Sequence, residues 1–365
     1  MDKDIFEKLH QFYNGKTVFI TGHNGFKGTW MCHVLSELGA NIVGYSLAEP
    51  DGPSLFRLSN TDKFVKSYIG DIRDLNNLKI VFDKSSPEIV IHMAAQPIVR
   101  ASYENPVYTY ETNVLGTVNI LECIRLSDSV KSFVNVTTDK VYYNKEYEWG
   151  YREIDELNGY DPYSNSKSCS ELVTSSYKKS FFQVFDSPAI TTCRAGNVIG
   201  GGDFAANRVI PDCVRSVLNG TMMTIRNPKS IRPYQHVLEP VIVYLIIAME
   251  QYNNKEIEGN YNIGPLDSDC STTKDLVEMF FNEWNKKNNS KLTWTIHNDG
   301  GPHEANYLKL DCSRIRNKIG WKPVWNIRMA ISKCVDWTIV YVNNQDINAE
   351  MSKEISEYFH ALVNN

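Results

Sequence analysis

The segment from Lys16 to Thr21 reads as a strand, stops at Gly22-His23-Asn24-Gly25-Phe26-Lys27-Gly28, and gives way to a helical period over Thr29 to Leu38. Few folds accept that junction. A strand buried on both faces must be followed by a turn tight enough to start a helix that packs back on it. Glycines permit the turn and let the backbone approach a ligand closely. The helix start then offers unpaired N–H groups and a partial positive charge to an anion. The junction predicts a first βαβ unit with a phosphate-binding turn. A glycine triplet elsewhere serves as a plain tight turn; its place between strand and helix gives it the second meaning.

The alternation continues along the chain. Asn41 to Tyr45, Lys66 to Ile69, Glu88 to His92, Ser132 to Val136 and Ile190 to Cys193 read as strands. Asp74 to Asp83, Thr109 to Leu126 and Tyr163 to Ser180 read as helices, and Gly39 closes the first helix. This is an α/β pattern, a Rossmann-type doubly wound parallel sheet. After Arg194 the pattern loosens into Gly200-Gly201-Gly202-Asp203, a basic loop from Arg226 to Pro233, and short elements around Trp284, Trp294, Trp321 and Trp325. A smaller, mixed α/β C-terminal substrate domain is expected there. Residues 1–193 with 233–262 are assigned to the dinucleotide-binding domain, and 194–232 with 263–365 to the substrate domain.

Composition narrows the partners. The 365 residues are 42% hydrophobic and carry a net charge of −5, with Lys and Arg scattered, so no nucleic-acid footprint is expected. The eight cysteines form no C-x-x-C pair and suit free thiols in a reducing cytosol. Met1 to Leu9 has no signal-peptide core, and the apolar run Val241 to Met249 is too short to span a bilayer. A cytoplasmic protein with no membrane partner and no metal set is the expectation.

Two further motifs carry chemistry. Tyr163 and Lys167 stand four residues apart at a helix start, so both side chains share one face. An ammonium beside a phenol favours the phenolate, so Tyr163 is expected to take a proton near neutral pH, while Lys167 holds a ribose. Thr137-Thr138-Asp139-Lys140-Val141-Tyr142 closes the fifth strand, and ligands of open α/β sheets bind at strand C-termini. A hydroxyl, an acid and an amine there suit three proton tasks. Asp71-Ile72 follows the third strand, where such folds hold adenine; Asp71 serves equally well as a helix N-cap. The second strand ends in Gly44-Tyr45-Ser46-Leu47, with no acid for a ribose 2′-hydroxyl. Lys27 even suits a 2′-phosphate, so NAD and NADP both stay open.

The glycine spacing G-x-x-G-x-x-G, Tyr163 to Lys167 and several later stretches together resemble the extended short-chain dehydrogenase/reductase family, in its nucleotide-sugar 4,6-dehydratase branch acting on CDP-glucose. The matching stretches include Ala94-Ala95-Gln96-Pro97, Thr112-Asn113-Val114, Thr138-Asp139-Lys140, Arg194 to Asp203, Ile225 to Pro228 with Arg232-Pro233, Gln235 to Pro240, and His303-Glu304-Ala305. The resemblance covers nearly the whole chain. It implies a redox-neutral conversion of CDP-glucose to the 4-keto-6-deoxy sugar and water, with a retained nicotinamide. Tyr163 takes the 4-hydroxyl proton, Thr138 binds the same oxygen, and Asp139 protonates the leaving 6-hydroxyl. Lys140 stands where relatives acting on dTDP-glucose carry Glu; it acts as a base with a depressed pKa or, the preferred reading, as a cation beside the enolate. The resemblance further implies cofactor contacts from Gly22, Asn24, Gly25, Phe26, Lys27, Gly28, Asp71, Ile72, Ala94, Ala95, Gln96 and Asn113. Substrate contacts are implied from Asn197, Arg208, Arg232, His236 and Glu304. It also implies a homodimer through two helices per subunit. The alternatives are a 4,6-dehydratase for another nucleotide sugar, a nucleotide-sugar 4-epimerase, which lacks an acid to expel water, and a non-catalytic cofactor-binding protein.

Overall fold

In the computed structural model, residues 5–184, 186–297 and 308–363 are described. The alternating runs build one seven-stranded parallel sheet. Its strands are β1 (Thr17–Thr21), β2 (Asn41–Ser46), β3 (Val65–Ile69), β4 (Ile89–His92), β5 (Ser132–Val136) and β6 (Ala189–Ala195). The seventh, Asn260–Ile263, returns from the C-terminal half and pairs with β6. From that returning strand the order runs β6-β5-β4-β1-β2-β3. The strand order reverses beside β1, and that switch point opens a crevice at the strand C-termini.

Two-residue periodicity splits each strand between two cores. On β1, Val18 and Ile20 join Trp30, Leu35, Val241 and Leu245, whereas Phe19 joins Phe82, Val90, Ile120 and Phe133. The helix Leu238–Asn253 supplies much of the first core and is buried almost all round, which explains the apolar run read in its sequence. A third core, around Ile210, Met223, Phe280, Trp284 and Ile331, lies in the C-terminal half.

Element ends follow local chemistry. Gly39 adopts φ +74° just past the helix Phe26–Glu37. Asp161 caps the helix Pro162–Phe181 by accepting from Ser164 N, with Pro162 at its first turn. The helix expected from Thr109 to Leu126 begins earlier, at Pro106. It passes through one wide π turn, Glu111–Leu115, before Gly116–Arg125. The expected basic loop from Arg226 to Pro233 contains a short strand, Ile231–Arg232, paired with Ser271–Thr272. Among the described residues no helix is long and apolar enough to cross a membrane, and no cluster of His, Cys, Asp or Glu suits a metal. All eight cysteines are free.

Candidate active site

A cavity of about 1050 Å³ opens at the C-terminal ends of the strands. It is lined by the glycine loop, the exits of β2, β3, β4, β5 and β6, and the segment from Gly202 to Arg215. The glycine loop is shaped for close approach. Gly22 sits at φ +77°, and a Cβ there would meet Ala94 N at 2.8 Å. At Gly28 a Cβ would strike Gly22 O at 2.1 Å. The His23 ring turns inward across Gly44, where Ser46 Oγ lies 2.6 Å from Nδ1 and Ser67 Oγ 2.7 Å from Nε2. Burial pulls its pKa down to about 4, so it stays neutral. Asn24, Gly25, Phe26, Asp71, Ile72, Ala94 and Ala95 all border the cavity.

Gln96 and Asn113 do not border it. Asn113, presented by the π turn, accepts from Gln96 N at 2.8 Å and donates to Gln96 O and Ser166 Oγ. It braces the β4 exit against the Tyr163 helix from behind. The N-cap reading of Asp71 also falls: the cap of the following helix is Asp74, while Asp71 pairs with Arg73 at 2.7 Å. Lys27 does not face the end of β2, where a 2′-phosphate would sit. Its ammonium points inward, 3.4 Å from the Tyr244 hydroxyl, and feels Arg208 and Lys167. Burial first, and those two cations next, lower its pKa to about 7.

Tyr163 and Lys167 both border the cavity. The Lys167 ammonium donates to Val136 O at 3.1 Å. Burial lowers its pKa to about 8, against the pull of Glu171. Burial raises the Tyr163 phenol to about 12, opposed by a hydrogen bond with Thr138. Desolvation therefore works against the phenolate expected near neutral pH: the proton-accepting form of Tyr163 is a minority there and grows as pH rises. Thr138 also donates to Asp139 Oδ1 at 3.0 Å. Asp139 lies just behind the lining, 1% exposed, with Oδ2 lacking a partner among the described residues. Burial raises its pKa; Lys140 and Arg232 oppose the rise. Lys140 borders the cavity one residue on.

On the far side lie Asn197, Arg208 and Arg232. Arg208 is held by Asp203 at 3.0 Å, and Asp203 also accepts from Ala205 N. Arg226 and Arg215 border the same region and share Asp212; Arg226 was visible only as part of a basic loop. His236 is a correction. Its strand turns the ring into the core between Trp30 and Trp325, fully buried, with Nε2 3.5 Å from Glu354. Glu304, with the stretch His303-Glu304-Ala305, lies outside the described residues.

The cavity thus joins cations from both sides of the sheet. Lys27 there feels the charges of Arg208 and Lys167, and an anionic group such as a diphosphate would relieve that repulsion. The glycine cradle and the inward ammonium of Lys27 fit a dinucleotide over the switch point.

Comparison with known proteins places the fold and the family. A family model described as GDP-mannose 4,6 dehydratase matches residues 19–334. The chain is 45% identical over 358 residues to a CDP-glucose 4,6-dehydratase of Salmonella typhimurium, covering 96% of this chain and 98% of that protein. It is 26% identical to a CDP-paratose 2-epimerase of Salmonella typhi, covering 88% and 98%. Among solved structures, a UDP-glucose 4-epimerase of Thermotoga maritima superposes with a TM-score of 0.76 at 21% identity, covering 89% and 99%. A dTDP-glucose 4,6-dehydratase of Bacillus anthracis, solved with NAD, superposes at 0.73 and 20% identity, covering 92% and 100%.

Proposed function

The chain belongs to the GDP-mannose 4,6-dehydratase family, and from that premise we propose that it converts CDP-glucose to CDP-4-keto-6-deoxyglucose and water with NAD as resident cofactor. When bound, NAD would supply an acceptor for the C4 hydride and a donor of the same hydride to C6, so the cycle would end without net redox change. Gly22, Gly25 and Gly28 admit its diphosphate, and Lys167 holds its ribose. Tyr163 takes the proton of the 4-hydroxyl while Thr138 bonds the same oxygen. The 4-ketone acidifies C5, whose proton passes to water as the enolate forms and is replaced at C5 when hydride reaches C6. Asp139, which burial inclines toward its protonated form, gives its proton to the departing 6-hydroxyl. Lys140 faces the enolate as a cation. Asn197, Arg208 and Arg232 take the substrate diphosphate.

The observation that carries this reading is Asp139. An epimerase needs no acid behind the Tyr163 hydroxyl, whereas elimination of water does. Here a buried carboxyl, one oxygen of which has no partner among the described residues, shares Thr138 with Tyr163. Incubation with CDP-glucose should give the alkali-induced chromophore of a 4-keto sugar; an epimerase gives none. A thermal-shift panel of CDP, UDP, GDP and dTDP should favour CDP, and equal shifts would overturn that assignment.

The division into dinucleotide and substrate domains, the reducing cytosol suited to eight free thiols, and a homodimer belong to the same proposal. Val107, Leu115 and Leu172 are 67%, 53% and 56% exposed on the outer helices, as a helix-to-helix interface requires. A monomer at micromolar concentration by light scattering would refute the dimer.

A further inference from the structure

One helical turn beyond Lys167, Glu171 is 3% exposed and does not border the cavity. Arg194 of β6 grips it with two bonds, Nε to Oε1 at 2.8 Å and a terminal amine to Oε2 at 2.5 Å. Thr137 donates to Oε1 at 2.6 Å and Thr192 to Oε2 at 3.2 Å. The rest of the guanidinium is occupied by Tyr142 and the Glu153 carbonyl. Four donors therefore fix a carboxylate inside the protein. Such an ion pair is weak evidence for stability, because apolar residues of similar volume often do as well. Its location suggests a task. Thr137 follows Val136, whose carbonyl holds the Lys167 ammonium, and precedes Thr138.

We propose that Glu171 is a positioning residue for the Tyr163–Lys167 pair: fixed by Arg194 and Thr137, it keeps the Lys167 ammonium charged in a dry site and ties the end of β5 to the catalytic helix. This rests on the reading of Lys167 as a cation. The groups around Lys167 are Tyr163 and Glu171 on its own helix, Lys27 from the helix Phe26–Glu37, and His92 from β4, which burial keeps neutral. Of these Glu171 opposes the loss of the proton. Charges at i and i+4 face each other, and burial leaves them little screened.

The test is Glu171→Gln in the NAD-loaded enzyme. The pH at which kcat stops rising should move down by about one unit, with KM little changed and the deficit against the parent shrinking at lower pH. Independently, competitive labelling of the Lys167 amine across pH, read by mass spectrometry, should show its midpoint moving the same way. If Lys167→Met keeps full activity, the reading of Lys167 fails, not the role of Glu171. Equal loss at every pH with an unmoved labelling midpoint reduces Glu171 to a brace and overturns the proposal. Should Glu171→Gln not fold, Glu171→Asp withdraws the carboxylate by one methylene and should move the midpoint less, in the same direction; no movement overturns the proposal equally.

Discussion

Replacing Asp139 by Asn separates oxidation from elimination. The substitution preserves shape, and the amide oxygen still accepts from Thr138 as Oδ1 does at 3.0 Å. The new amine takes the place of Oδ2, which has no partner among the described residues. An unsatisfied buried donor costs about 1–3 kcal/mol, so the fold should survive with a lowered melting temperature. Catalysis should lose far more. Burial raises the Asp139 carboxyl, favouring the form that has a proton to give, whereas an amide gives none. General acid catalysis contributes about 10²–10⁴-fold, equivalent to about 3–5 kcal/mol of barrier. Oxidation needs Tyr163 and Thr138, which remain. Stopped-flow mixing with CDP-glucose should therefore show the near-ultraviolet band of reduced nicotinamide rising and persisting, while the 4-keto-6-deoxy product lags by at least a hundredfold. Product formation within about threefold of the parent would refute the role of Asp139, since no acid-dependent step is that insensitive.

Three further outcomes follow from the same geometry. Tyr163 acts as phenolate and is raised to about 12, so its active form grows as pH rises; Lys167 acts as ammonium and is lowered to about 8, so its active form is lost as pH rises. Activity should climb about tenfold per pH unit up to about pH 8 and then flatten; a level profile below that point contradicts the raised phenol. Arg208→Ala removes a cation held toward the cavity by Asp203, and KM for CDP-glucose should rise about ten- to a hundredfold with kcat less affected; an unchanged KM takes Arg208 out of the substrate site. His236→Ala empties a core position between Trp30 and Trp325, and denaturant unfolding should show a loss of about 2–4 kcal/mol with KM unaltered; a selective KM effect would restore His236 to the substrate site.

The sheet was legible because its signal is local. A strand buried on both faces needs a continuous apolar run, and β1, β4 and β5 announce themselves that way. β6 shows the limit. Its sequence strand ends at Cys193 because Arg194 looks like a surface residue, yet the strand continues to Ala195. What allows the charge inside is Glu171, 23 positions earlier and on another element. The π turn was unreadable for a related reason. It is held by Asn113 bonding the Gln96 backbone, a contact set by the neighbouring strand exit rather than by the helix's own period.

The site divides along the same line. Residues whose backbone position alone commits them, such as Gly22 and Gly28, or Tyr163 and Lys167 four apart on one helix, reach the cavity as expected. Residues drawn from a matching stretch do not always follow. Asn197 and His236 flank the same short strand pair, Val198–Ile199 with Gln235–His236. Asn197 borders the cavity, while His236 turns away among tryptophans. His236 pairs with Ile199, two residues on from Asn197, so the pleat alone would put both on one side of the strand pair. The rings of Trp30 and Trp325 that receive His236 decide its duty, within a set register. That register is fixed here by Gln235 N donating to Asn197 O and its side-chain amide reaching Ile263 O on the edge of the sheet. The bond to Ile263 ties the diphosphate side of the cavity to the returning strand beside β6, and through β6 to Arg194 and Glu171. The two halves of the site are therefore braced against the same edge of the sheet. A change at that edge should disturb Asn197 and Lys167 together, even though neither touches the other's ligand.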